Sequence, residues 1–290
     1  MDRPKRITRQ DIIDCVSRLV VKAARELPVD VLVALEKAMA REVSSSAQRV
    51  LDILIENARL AKEQEIPICQ DTGIDCVFVE LGLDVAIDFD LEQAINEGIR
   101  KGTSIGLLRA SVADPITRVN TGDNTPGVIH VEINTGKGLT ITVLPKGCGS
   151  ENMSALFMLP PSAGVEGIVE RIVERVQEAG ANPCPPGIIG VGIGGTMEEA
   201  ALMAKKALLR PIGRHNPRED VRRIEVELLQ RINSLGLGPL GLGGRTTALW
   251  VSAEVRPCHI ASLPVAMNYQ CHAARRAKAT FKNGRMELMP

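Results

Sequence analysis

The stretch "GVIHVEINTGKGLTITVLP", residues 127–145, decides how this chain folds. Apolar and polar residues alternate on both sides of "NTGKG", so it reads as two strands around a turn. The asparagine and glycines of that turn predict a hairpin. A hairpin pairs its strands antiparallel, so the sheet cannot be purely parallel. Outward from it, "DCVFVELG" (75–82) reads as a strand and "GIIGVGIG" (187–194) as a buried one. "TALWVSAEVR" (247–256) reads as a further strand. Between them lie helical patterns at 90–104, stopping near Gly102, and at 165–180, ended by Gly180. Others fall at 197–209 and 219–236. The expected class is α/β (α+β), with mixed β-sheets and flanking helices.

Residues 8–63 carry three helical patterns. Ile12, Val16, Leu19, Val20 and Ala23 recur at helical spacing in the first, and Thr8 with Asp11 forms a capping box. The second begins near Pro28, and a serine among Ser44–Ser46 caps the third. A helical N-terminal region, 1–66, is therefore expected to pack on an α/β body, 67–290, as one compact unit.

Composition narrows the function. Hydrophobic residues make up 44% of the 290 residues and aromatics 2%, so the core is aliphatic and stacking on bases is excluded as a main activity. Lys plus Arg equals Asp plus Glu at 35 each, so no net field draws nucleic acid or membrane. No apolar run reaches the roughly 18 residues of a membrane span, and no signal-peptide pattern follows "MDRPKRITRQ". The chain reads as cytoplasmic, with its seven cysteines reduced.

Those cysteines divide by setting. Cys15 and Cys76 sit inside element patterns and read as packing residues. Cys258 follows Pro257 near a strand end and fits either use. Cys69, Cys184 and Cys271 lie in polar or proline-fixed loops. No Cys-x2-Cys knuckle links them, so spacing leaves both metal ligands and unrelated turn residues open. Cys148, in "PKGCGSEN", is a decoy in a glycine loop whose amides could cradle an anion. "GVGIGG" (190–195) formally matches a dinucleotide fingerprint, but regular βαβ alternation is lacking around it, and a tight strand-to-helix turn explains it. The run Arg275, Arg276, Lys278 reads as basic.

Together, "PICQDTG", "LLRAS", "VNTGDNTPG", "PKGCGSENMS", "NPCPPGIIGVGIGGT", "GLGGRTTAL" and "HIASLPVAMNYQC" resemble one family in order and content. This is the class I iron–sulfur fumarate hydratase and L(+)-tartrate dehydratase family, in its two-subunit form, alpha subunit. The resemblance runs from about Ile12 to Lys278. It implies that Cys69, Cys184 and Cys271 ligate a [4Fe–4S] cluster. It places Gln70 and Asp71 on substrate-contacting positions and Arg109 on a carboxylate-binding one. Gly149 and Asn152 fall on an anion-cradling loop, and His259 on a substrate contact. Longer single-chain relatives carry "GVSC" where this chain has "NYQC". They also have a C-terminal domain supplying further arginines, a lysine and a threonine, so a separate beta subunit is implied here.

The implied reaction is reversible hydration of fumarate to (S)-malate, with tartrate to oxaloacetate as the alternative. Three thiolates leave one iron open as a Lewis acid for the hydroxyl. A positioned base takes the proton from the neighbouring carbon, and cationic clamps hold the dianion. Asp71 and His259 are the candidate catalytic residues. For Asp71 the structural alternative is a turn-forming Asx side chain, and for His259 a satisfied structural histidine. A reading of another class also stands: a nucleotide-binding or zinc-stabilised regulatory subunit, supported by "GVGIGG" and the basic run.

Overall fold

The computed structural model describes residues 5–136, 138–282 and 285–289. Its elements in chain order are β1 (Lys5–Arg6), α1 (Arg9–Arg25), α2 (Val29–Arg41), α3 (Ser45–Glu63), β2 (Ile74–Gly82), β3 (Val85–Ala86) and α4 (Leu91–Ile105). Next come β4 (Val128–Asn134), β5 (Leu139–Lys146), α5 (Cys148–Glu151), β6 (Ala155–Leu159), α6 (Gly164–Ala179) and β7 (Gly187–Gly194). The chain continues through α7 (Met197–Ala207), α8 (Glu219–Ser234), β8 (Ala248–Arg256), β9 (Leu263–Gln270), β10 (Ala277–Lys282) and β11 (Arg285–Leu288). These form the expected α/β class with mixed sheets. The described residues gather into two compact units, one from within 1–28, 58–147 and 275–290, the other from 29–57 and 148–274. The units interleave in sequence, whereas the expected division at residue 66 follows chain order. Among the described residues no helix is long and apolar enough to cross a membrane.

The first unit holds a five-stranded sheet in the order β11-β10-β5-β2-β4. β2 runs parallel to β4, with Cys76 opposite Val128, and antiparallel to β5, with Val77 opposite Val143. The hairpin expected across "NTGKG" is therefore not formed: both strands exist, but β2 lies between them. The physical reason is burial. β2 is buried along most of its length and takes the central place, while β4 is largely exposed and takes the edge. The turn itself is local, with Gly136 N donating to Asn134 Oδ1 at 2.8 Å, and it does not dictate which strand lies alongside. The connection crosses the end of β2 at Gly82, where a β-carbon would sit 2.6 Å from Gly136 O. The sheet is mixed, as expected, through β2's two neighbours rather than through a hairpin.

α1 and α4 cover this sheet. The Thr8–Asp11 capping box is present: Asp11 N donates to Thr8 Oγ1 and Thr8 N to Asp11 Oδ2. Ile12, Val16 and Leu19 of α1 pack with Ile95 and Ile99 of α4 and Ile141 and Val143 of β5. α4 does not stop at Gly102 but runs to Ile105, with Gly106 N bonded to Gly102 O at 2.8 Å. Gly102 instead permits close helix approach, since a β-carbon there would meet Val20 Cβ at 2.8 Å.

The second unit holds a four-stranded sheet, β6-β9-β7-β8. β7 is parallel to β8 and antiparallel to β9. One face carries Ile189 and Val191 against α6 and α8, through Ile172, Val176 and Leu228. On the other, α7 lies so close that β-carbons at Gly190 and Gly192 would sit 2.0 and 2.1 Å from Ala204 O and Ala200 O. The start of α7 is engaged by its own Glu199, whose Oε2 accepts from Thr196 N at 3.3 Å. Gly190 and Gly192 of "GVGIGG" thus admit the close approach of α7, while Gly194 and Gly195, at φ +88° and +67°, make the tight strand-to-helix turn expected there. β6 and β9 were not expected as strands. Behind β8, buried Glu225 accepts from Ala253 N at 2.8 Å and Asn216 N at 3.0 Å, and pairs with Arg210 and His215.

Candidate active site

The first unit contributes the turn Cys69–Gly73. Ile68 is buried and its N–H bonds Ala24 O at 2.9 Å, which fixes the chain's entry. At Gly73, φ is +76° and a β-carbon would meet the Lys146 carbonyl at 2.6 Å, so only glycine fits. Within the turn, Cys69 Sγ accepts from Asp71 N at 3.4 Å and its thiol donates to Gln70 Oε1 at 3.4 Å. Asp71 Oδ1 accepts from Gly73 N at 3.0 Å, which is the Asx turn weighed from the sequence. Cys69 is half-buried and Gln70 exposed.

Arg109 is carried by the long irregular segment between α4 and β4, with its side chain exposed. Thr72 ties that segment to the turn, its hydroxyl bonding Arg109 O and lying 2.8 Å from Ser111 Oγ. Asn124 adds a second tie. Its Nδ2 donates to Gly73 O at 3.2 Å and Asp75 Oδ2 at 3.1 Å, while Oδ1 accepts from Ser111 N at 2.8 Å. Burial pushes the Asp75 carboxyl up to about 7, against the Asn124 bond and the charge of Arg275. Arg275 is 1% exposed, so the expected basic surface run is broken at its first member. Its Nη2 donates to Asp71 O at 2.8 Å.

The second unit brings Cys184 and Cys271 together. Cys184 sits at φ +53°, between Pro183 and the cis Pro185–Pro186 bond, with its N–H on Ala181 O at 3.0 Å. Its carbonyl accepts from His272 N at 3.2 Å, beside Cys271. Buried Tyr269 feels both thiols: burial first, then Cys271 and Cys184, push its ionisation up. Among the described residues the hydroxyl has no hydrogen-bond partner, and neither do Asn268 Oδ1 and Gln270 Oε1 on the opposite face of β9. The "NYQ" departure thus places three open oxygens just before Cys271.

"GCGSEN" folds as α5, leaving Gly149 and Asn152 exposed. Asn152 N bonds Cys148 O at 2.9 Å, and Glu151 Oε2 accepts from Asn268 Nδ2 at 3.0 Å, so the turn is tied to β9 near Cys271. Cys148 is exposed on it. His259 lies elsewhere. It precedes β9 while Cys271 follows it, so they flank opposite ends of an eight-residue strand, about 23 Å of extended chain. His259 Nδ1 accepts from Ala261 N at 3.1 Å, and the ring lines a cavity of about 320 Å³ with Val165, Ile168 and Ile260. Cys15 and Cys76 are buried, as packing residues should be, and burial raises the Cys15 thiol to about 12. Cys258 is exposed and donates to Ser262 O at 3.1 Å. Among the described residues no three His, Cys, Asp or Glu side chains are grouped to hold a metal ion.

A fumarate hydratase (Fumerase) family model matches residues 13–280. The chain belongs to the fumarate hydratase family. With the family goes the enzyme class, a hydro-lyase. The chain is 45% identical over 278 residues to a Methanocaldococcus jannaschii protein provisionally named L(+)-tartrate dehydratase subunit alpha, covering 93% of this chain and 98% of that one. It is 30% identical over 282 residues to the L(+)-tartrate dehydratase subunit alpha of Escherichia coli K12, covering 94% and 93%. The same figures hold for the Shigella sonnei protein of that name. Sequence reasoning did not single out Arg275, Asn124 and Thr72, which hold the Cys69–Gly73 turn in place. Arg275 was visible only as a charge, and nothing in its neighbours marked it as buried.

Proposed function

We propose that the chain is the alpha subunit of an iron–sulfur hydro-lyase acting on a four-carbon dicarboxylate. The observation that carries this reading is the pairing of Cys184 with Cys271 in fixed backbone next to open buried oxygens, in a chain of this family. Cys184 and Cys271, held near each other by the His272 N to Cys184 O bond, with Cys69 on its own turn, supply the soft donor set of a [4Fe–4S] cluster. When bound, that cluster would supply a Lewis-acidic iron for the departing hydroxyl.

The chain's own residues do the rest. Arg109 binds a substrate carboxylate through a charge-assisted contact, and Gln70 orients the substrate. Asp71 handles the proton or orients a partner's threonine. Its Oδ1 accepts from Gly73 N, which fixes the carboxylate's orientation in the turn. Gly149 and Asn152 cradle anionic oxygen atoms. His259 lies beyond the other end of β9, so its expected substrate contact has no support in this unit's geometry. A beta subunit supplies the further cations that a dianion requires. The relatives' names support such a partner, as do Leu107 and Ile116, 86% and 87% exposed, on the Arg109 segment.

We keep fumarate and (S)-malate as the substrate pair, with L(+)-tartrate as the second reading, favoured by the relatives' names. Comparing kcat/KM on the two separates them. To test the cluster, the chain is reconstituted anaerobically with iron and sulfide. Cys69→Ala, Cys184→Ala and Cys271→Ala should each lose most of the bound iron, while Cys148→Ala and Cys258→Ala keep it. Equal iron in all five variants sinks the assignment. Arg109→Ala should lower kcat/KM at least about tenfold, since a charge-assisted bond is worth roughly 1.5–3 kcal/mol. Unchanged kinetics in the assembled enzyme remove Arg109 from the site.

A further inference from the structure

Arg275 is unusual among the buried cations of this chain. The residue is 1% exposed, yet its hydrogen bond goes from Nη2 to a single acceptor, the Asp71 carbonyl at 2.8 Å. Nε and Nη1 have no hydrogen-bond partner among the described residues. A buried donor left open costs free energy, more so on a charged group. Arg210 of the second unit shows the ordinary alternative, with bonds to Glu225, Glu254 and Ala253 O.

The single bond has a specific address. It reaches across 204 residues of sequence to the turn that carries Cys69, Gln70 and Asp71. Within the turn, Asp71 N bonds Cys69 Sγ and Gly73 N bonds Asp71 Oδ1, while Thr72 and the Gly73 carbonyl tie it to the Arg109 segment and Asn124. Gly147 presses on it from the side: a β-carbon there would lie 3.1 Å from Asp71 Oδ2 and 3.6 Å from Arg275 Nη2. Asp75 lies in the field of the same guanidinium.

We propose that Arg275 is a positioning residue for the Cys69–Asp71 turn, fixing the Asp71 backbone and through it the Cys69 thiol and the Asp71 carboxylate. Its effect on turnover rests on the hydro-lyase reading above; its effect on the turn does not. The full-length chain without iron is alkylated with iodoacetamide, and the rate at Cys69 is divided by the rate at exposed Cys258. Arg275→Lys, which keeps the charge but not the fork, should raise that ratio at least threefold. In the assembled, iron-loaded enzyme it should lower kcat at least tenfold with a smaller change in KM. An unchanged ratio, or an activity loss no larger than the loss of folded protein, overturns the proposal. If Arg275→Lys does not fold, Gly147→Ala carries the test by crowding Asp71 Oδ2. It should shift the same ratio, and a folded Gly147→Ala chain with the ratio unmoved also overturns the proposal. Failure of the hydro-lyase reading would show differently, as no turnover of malate or tartrate by the unsubstituted enzyme.

Discussion

Glu225 in the second unit and Arg275 in the first are both about 1% exposed, and they are finished to opposite standards. Each Glu225 oxygen is doubly engaged, Oε1 by Arg210 and Ala253 N, Oε2 by His215 and Asn216 N. Around Arg275 the balance is incomplete. Among the described residues two of its nitrogens are open, and in the second unit so are Asn268 Oδ1, Tyr269 OH and Gln270 Oε1. Buried polar groups are ordinarily satisfied, and complete networks rigidify a core. The closed node is what structure alone requires. In the first unit the open donors belong to the residue that bonds the Cys69 turn, and in the second the open acceptors precede Cys271 in sequence.

The largest effect should come from breaking the closed node. Glu225→Ala leaves the buried Ala253 and Asn216 N–H groups without their acceptor and removes one partner of Arg210, and should cost about 3–5 kcal/mol in chemical denaturation, without moving the Cys69-to-Cys258 alkylation ratio of the folded fraction. A cost under about 1 kcal/mol would erase the contrast. Asp75→Asn sharpens the other side through pH. The folded carboxyl titrates at about 7 against an ordinary 3.8, held up by burial and pulled down by Asn124 and Arg275. Its raised value means that its contribution is whole below about pH 4 and is lost as pH rises through about 7. The Tm advantage of Asp75→Asn over the parent should therefore widen between pH 4.5 and pH 8, and a constant difference contradicts the raised value. The smallest effect belongs to Tyr269→Phe. Removing an unpartnered buried hydroxyl should leave Tm unchanged or slightly higher. A loss above about 1 kcal/mol would mean that the hydroxyl is bonded after all.

Local chemistry was readable in the sequence, and pairing was not. The Thr8–Asp11 box, β7 with α7, and the Gly180 stop follow from adjacent residues and stand where expected. The "NTGKG" hairpin failed because turn residues govern a bend, while strand order follows which strand must be buried on both faces. Gly102 was misread because a glycine that ends a helix and one that admits a neighbouring helix look alike in sequence. β9 escaped notice because it shows no alternation, with Leu263–Met267 apolar and a proline at its second position. At the site, Cys69, Gln70, Asp71, Cys184 and Cys271 were selected by motif. Arg275 was seen as a charge beside other charges, since only tertiary burial distinguishes it from Lys278.

The interleaved order of segments has a consequence for synthesis. β5 remains an edge of its sheet until residues 277–282 are made, because β10 pairs along it. The same late stretch brings Arg275. A growing chain therefore carries the thiols at 69, 184 and 271 before the residue that bonds the Asp71 carbonyl has been translated.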